Sequence, residues 1–218
     1  MKKFMIVALM AIVSANASAQ QFTHYVQGAL TSMTTAGKDA REYKPSKGIT
    51  PYETTNTIGF DVLYGFELPL VKGLYWGAEA GIGTSRGFEC NFKESIVGTS
   101  YSVEYDEVFR TYAIRILPVN FGYRHKFNDR WAIDGHVGVG LSYDFAGGNK
   151  TTLNGNTKET KIADVDSYRP FDAYLKIGFG ASYKHVGLDI SYQRGLNKLL
   201  TETEMYASNL TIGVRYIF

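Results

Sequence analysis

His136 lies two residues after Asp134, and in an extended strand that spacing puts both side chains on one face. A carboxylate beside an imidazole is the pairing that orients a general base. Folding the chain back across the short segment His125–Arg130 places Asn120 opposite His136, so the neighbour is an amide and no nucleophile stands beside the pair. The expected role is a hydrogen-bonded polar network, with no catalytic residues. The other histidines are dispersed: His24 opens the first extended run, and His125 and His185 fall in short connectors. Cys90, the only cysteine, cannot form an intramolecular disulfide and is expected as a free, non-functional thiol in a loop. No Cys/His cluster has metal-site spacing, so no metal or other cofactor is expected. Gly81-Ile82-Gly83, Gly138-Val139-Gly140 and Gly178-Phe179-Gly180 resemble fragments of phosphate loops, but no helix follows any of them to receive a phosphate.

The elements that must position these groups have period two throughout, and no amphipathic helix of useful length occurs. Eight runs can be traced. The first, Phe22 to Met33, sets Val26, Gly28 and Leu30 against Tyr25, Gln27 and Ala29. The second alternates Ile58, Phe60, Val62, Tyr64, Phe66 and Leu68 with Gly59, Asp61, Leu63, Gly65 and Glu67. The third sets Leu74, Trp76, Ala78, Ala80 and Ile82 against Tyr75, Gly77, Glu79, Gly81 and Gly83. The fourth, Val108 to Arg124, changes phase: Ile114 and Ile116 share one parity, and Leu117, Val119, Phe121 and Tyr123 the other. Pro118 lies beside that break, where a missing N–H is tolerated at a bulge. The fifth carries Trp131, Ile133, Val137, Val139, Leu141 and Tyr143 opposite Asp134, His136, Ser142, Asp144 and two glycines. The sixth carries Phe171, Leu175, Ile177 and Phe179 opposite Asp172, Tyr174 and Lys176, and the seventh Leu188, Ile190 and Tyr192 opposite Asp189, Ser191 and Gln193. The eighth, Leu210 to Phe218, opposes Leu210, Ile212, Val214, Tyr216 and Phe218 to Thr211, Gly213 and Arg215.

Connector lengths alternate. Short ones lie at Pro69–Gly73, His125–Arg130 and Lys184–Gly187, and long polar ones at Thr34–Thr55, Gly87–Glu107, Ala146–Arg169 and Gly195–Ala207. An even strand count with alternating short and long connectors is the layout of an outer-membrane barrel, with short periplasmic turns and long outer loops. Residues 1–19 read as a cleaved signal peptide: Lys2 and Lys3, the apolar stretch Phe4–Val13, then Ala17-Ser18-Ala19. That apolar stretch is about half the roughly twenty residues a spanning helix needs. Residues 20–218 then form one domain, and without Lys2 and Lys3 the formal charge of +2 falls to zero, which excludes the basic footprint of a nucleic-acid binder.

Period two also fits a soluble barrel with its apolar face inward. The other face decides between them. It carries Asp61, Glu67, Glu79, Asp134, His136, Lys176, Asp189 and Arg215 interleaved with glycines. Glycine weakens a solvated strand surface but makes room in a narrow lumen for long side chains. Trp76 and Trp131 each follow a short turn, where an interfacial aromatic belt is expected. The expected fold is an all-β, eight-stranded antiparallel up-and-down transmembrane β-barrel. Its lumen would be closed by the eight charged residues just named, with Asp189 opposite Arg215 as their central pair.

Leu117-Pro118-Val119 with Tyr123, Tyr192 with Gly195-Leu196, and the stretch Leu210 to Phe218 carry a resemblance over the whole mature chain. The chain resembles the porin-like, PorT-type outer-membrane β-barrel proteins of the Bacteroidota, which are distantly similar to the OmpA and OmpX barrels. The resemblance implies a Gram-negative outer-membrane protein with both termini in the periplasm. It also implies that Tyr216 and Phe218 form the C-terminal signal read by the barrel assembly machinery. The expected partners are outer-membrane lipid, that machinery during biogenesis and an extracellular or envelope protein at the loops; the barrel is expected as a monomer that binds no nucleic acid. The leading expectation is a structural or loop-mediated surface role. The alternatives are a narrow channel for ions or small solutes, or an accessory component of an envelope or secretion complex.

Overall fold

Alternation of apolar with small or polar residues gives a strand two unlike faces, and closing the sheet assigns one face to the lumen. The structure, a computed structural model, describes residues 22–42, 54–95, 102–165 and 167–218; the expected signal peptide lies outside them. Nine strands form: β1 (Thr23–Ala36), β2 (Thr57–Pro69), β3 (Leu74–Ser95), β4 (Ser102–Lys126), β5 (Trp131–Leu153), β6 (Asn156–Lys161), β7 (Phe171–Tyr183), β8 (Val186–Lys198) and β9 (Tyr206–Ile217). A one-turn helix α1 (Lys38–Arg41) follows β1, and a 3-10 turn (Ile162–Asp164) follows β6. Eight of the strands pair antiparallel with sequential neighbours, and β1 closes the ring on β9. The ninth, β6, pairs only with the far end of β5, beyond the point where β7 begins.

The burial pattern is the reverse of a water-soluble barrel. Phe179 is 70% exposed and Leu30 67%, while Asp189 and Gln27 are fully buried. A stable protein can hold its apolar residues outward along every barrel strand only if a hydrocarbon phase meets them. Trp131 stands on the outside against Tyr183, and Tyr216 against Phe218, both at the short-turn end. The start of β1 and the end of β9 meet at that end too: Phe218 N–H donates to His24 O at 2.9 Å, and Ile217 N–H to His185 O at 2.7 Å.

Three expectations change. The phase break in β4 falls after Pro118, because register shifts on both flanking strands place one extra residue there. Leu117 is therefore buried inside with Arg115, and only Val119, Phe121 and Tyr123 point outward. Leu68, expected on the lipid face, is buried beside its register partner Trp76. Two of the long connectors are largely strand, because β3, β4, β5 and β6 continue past the ring as an antiparallel sheet, and β8 runs on to Lys198 into a third. Cys90 is accordingly a buried residue of β3 rather than a loop thiol. At this far end an apolar cluster of Ala40, Phe88, Phe109, Ile162, Leu199 and Met205 gathers residues from α1, β3, β4, the 3-10 turn and the β8–β9 connector.

Candidate functional site: the charged lumen

Every inward-facing strand position must be filled by a side chain or left to a neighbour's. The neighbour that uses the space is the register partner on the adjacent strand. Tyr25 lies over Gly65, Tyr75 over Gly122 and Tyr174 over Gly140, each a direct cross-strand pair whose glycine could not carry a Cβ without overlapping the ring. The lumen glycines thus make room sideways rather than across the barrel.

The charged side chains stack in four levels above the short turns. In the first, Arg124 binds Glu67 with both terminal nitrogens, at 2.6 and 3.0 Å, and reaches Asp134 at 3.3 Å. Arg215 donates to Asp189 and, through Nε, to Gln27 Oε1 at 2.9 Å, with Asp134 and Glu67 3.8 and 3.9 Å from its Nη1. His136 stands between two carboxylates, its Nδ1 3.4 Å from Asp134 and its Nε2 3.7 Å from Asp189. In the second level Lys176 Nζ donates to both oxygens of Glu79 at 2.7 and 3.0 Å, and Tyr25 and Asn120 donate to the same carboxylate. In the third, Arg115 donates to Asp61 at 2.6 Å and to Gln193, while the Thr31 hydroxyl donates to the second Asp61 oxygen at 2.7 Å. In the fourth, Arg86 lies 3.6 Å from Asp144 and 3.7 Å from Asp172, and Tyr168 closes over it by donating to Asp144. Burial and the adjacent carboxylate push the Tyr168 phenol well above its ordinary range.

All eight residues expected in the lumen are there and buried, but two expected registers shift. Asp189 faces Gly213, and Arg215 faces Gly187, so the bridge between them is diagonal. A register shift in β8 between Arg194 and Lys198 moves the strand by two residues relative to the loop end. Asn120 faces Gly138 and His136 faces Gly122, because the Asn128 side chain accepts from the Arg130 and Trp131 N–H groups and centres the turn one residue later than expected. Arg86, Arg115 and Arg124, with Asp144 and Asp172, are the members that the list of eight omits. The phase break at Pro118 is the sequence signal for Arg115 and Arg124. Arg86 sits within a second irregularity, between Thr84 and Gly87, that no proline or motif marks.

Chemically this arrangement holds protons and charges in place. Ser191 approaches His136 across Gly178, yet the serine hydroxyl and His136 Nε2 form no hydrogen bond with one another or with any other group. Among the described residues no group of three or more potential ligands could hold a metal ion.

The model of the outer membrane protein β-barrel domain matches residues 18–201. The chain belongs to that family. Membership agrees with the outward apolar face: this is an integral protein of the outer membrane, with lipid against β1–β5 and β7–β9. Among solved structures it is similar to Ail, the attachment invasion locus protein of Yersinia pestis, in complex with the heparin analogue sucrose octasulfate, at 16% identity and a TM-score of 0.43 over 91% of this chain and 99% of that one. It is also similar to Neisserial surface protein A, at 14% identity and a TM-score of 0.41 over 89% and 97%. The outer membrane enzyme PagL matches at 10% identity and a TM-score of 0.42 over 87% and 98%. No curated protein matches the chain.

Proposed function

We propose that this family member is a plugged, non-catalytic barrel whose membrane part is a rigid stand for its outer loops. The observation that carries this reading is the filled lumen. Two cavities along it, one beside Arg215 and one beside Arg115, hold about 10 Å³ each, near the least space that admits a single water. The four ion-paired levels follow one another through the lumen, and the apolar cluster around Phe88 and Phe109 lies at the loop end. The sheet formed by β3, β4, β5 and β6 beyond the ring is then the surface offered to an extracellular or envelope protein partner.

In the same reading residues 1–19 are removed on export, the short turns and both termini face the periplasm, and the barrel is a monomer. Tyr216 and Phe218, exposed at the end of β9, serve the barrel assembly machinery. The bulged Leu117-Pro118-Val119 and the closing strand support placement among the PorT-type barrels of the Bacteroidota. Planar-bilayer recording of the purified protein tests the reading directly. A quiet bilayer is expected; steady, ion-selective steps would replace the plug with a narrow channel.

A further inference from the structure

A groove runs from the short-turn rim, beside Glu67 and Arg124 at the mouth of the lumen, over the Leu70–Gly73 turn and onto the outer wall. Its rim part encloses about 870 Å³ between the Leu70–Gly73 turn and the end of β4, and its upper part about 500 Å³ against β4, β5 and β7. Both parts are lined by the outward residues Leu70, Leu74 and Tyr123, so they form one depression. The upper part owes its depth to Gly135. That residue falls on the outward face of β5 between Ile133 and Val137, and its register partners are Tyr123 on β4 and Phe179 on β7. A Cβ there would meet Phe179 at 3.5 Å, an ordinary contact, and the Gly135 backbone is not left-handed. Packing does not require glycine at this position, and its presence leaves space between the Phe179 ring that leans over it and Tyr123.

The rim of the same groove is basic. Lys72, at the tip of the turn, and Lys126, at the end of β4, have no acidic partner among the described residues, whereas Arg124 is committed to Glu67 and Asp134. The Gly73 carbonyl accepts the Arg124 N–H at 2.8 Å, which holds the turn, and Lys72 with it, against this end of β4. Two unpaired ammonium groups above an apolar trough match an amphiphile with an anionic head and a hydrocarbon chain. We propose that the groove binds one anionic phospholipid of the leaflet facing the short turns. Its phosphate lies at Lys72 and Lys126, and one acyl chain lies in the gap at Gly135.

The site rests on the membrane placement of the barrel and is independent of whether the lumen conducts. Each basic residue near a membrane surface strengthens attraction for anionic lipid several-fold. Native mass spectrometry of the full-length protein in non-ionic detergent, with phosphatidylglycerol and phosphatidylcholine of equal chain length, tests it. Phosphatidylglycerol should be retained at one copy and about tenfold more tightly than phosphatidylcholine. Lys72→Glu with Lys126→Glu, both exposed and neutral to folding, should abolish that preference. Gly135→Leu should fill the trough and weaken retention of phosphatidylglycerol with the charges intact; a heat-dependent gel shift verifies that each variant is folded. Equal retention of the two lipids, an unchanged preference in the charge variant, or unchanged retention by Gly135→Leu would each reduce the groove to ordinary lipid contact and overturn the proposal.

Discussion

Arg215 bridges Asp189 although the two are not register partners: Gly187 faces Arg215, and the guanidinium reaches diagonally to the carboxylate two residues on. From there Arg215 also lies within 4 Å of Glu67 and Asp134, so one cation serves three carboxylates. The consequence is an asymmetry. Asp189→Ala leaves Arg215 with two acidic neighbours, whereas Arg215→Ala leaves Asp189 with His136 alone. Arg215→Ala is expected to cost about 3–5 kcal/mol, the range for an uncompensated buried charge, and Asp189→Ala distinctly less. Urea titration read by the heat-shifted gel band measures both; equal losses would mean that the pair acts in isolation.

The second level makes a simpler pair. Glu79 and Lys176 are both buried and bind through two short contacts. Glu79→Leu should destabilise by about 3–5 kcal/mol, and adding Lys176→Met should recover much of the loss, because a buried pair replaced by apolar groups of similar volume is often neutral. Failure of the second change to recover stability would assign the loss to Tyr25 and Asn120, which also donate to Glu79.

Tyr75 covers Gly122, and its hydroxyl donates to Asp134 at 3.2 Å. Gly122→Ala must displace the ring and that hydrogen bond, at a cost of about 1–3 kcal/mol for overpacking. Tyr75→Val in the same background should restore part of the stability, while Tyr75→Phe, which keeps the ring, should not. The unfolding midpoints of the three variants rank these outcomes.

Val139 lies near the middle of the outward face of β5, between Trp131 and Phe145. Val139→Arg should destabilise by about 2–4 kcal/mol, the cost of a cation at the bilayer midplane, and Val139→Leu should not. Equal folding yields in lipid vesicles would show that this face does not meet hydrocarbon.

Cys90 is buried on β3 beyond the ring, and burial with the nearby Glu107 carboxylate pushes its thiol up to about 11. Because the thiolate is the reactive form, a raised value leaves the group neutral and inert at physiological pH. A maleimide should label Cys90 slowly in the folded protein at pH 7.5 and readily after denaturation. Equal rates would place the thiol at the surface.

By itself the sequence determined the barrel, its inward and outward faces and the end at which its first strand starts and its last one stops. Period two is a local property: once Asp134 points inward, His136 does too, whatever the partner strand. The position of Pro118 was legible for the same reason, since a bulge changes parity within one strand. Pairing across strands was not local. The Asp189–Arg215 offset arises from a shift between Arg194 and Lys198, and the Asn120–Gly138 pairing from the side-chain turn at Asn128. Neither disturbs the alternation that a single sequence displays. Arg86 lies within a second irregularity in β3 with no proline to mark it, and so only the folded chain brings it to Asp144 and Asp172. The loop-end cluster of Phe88, Phe109, Leu199 and Met205 likewise comes from segments far apart in sequence. Tertiary structure decided which side chains meet inside the lumen, because a contact between distant strands is fixed by turns and bulges summed around the whole ring.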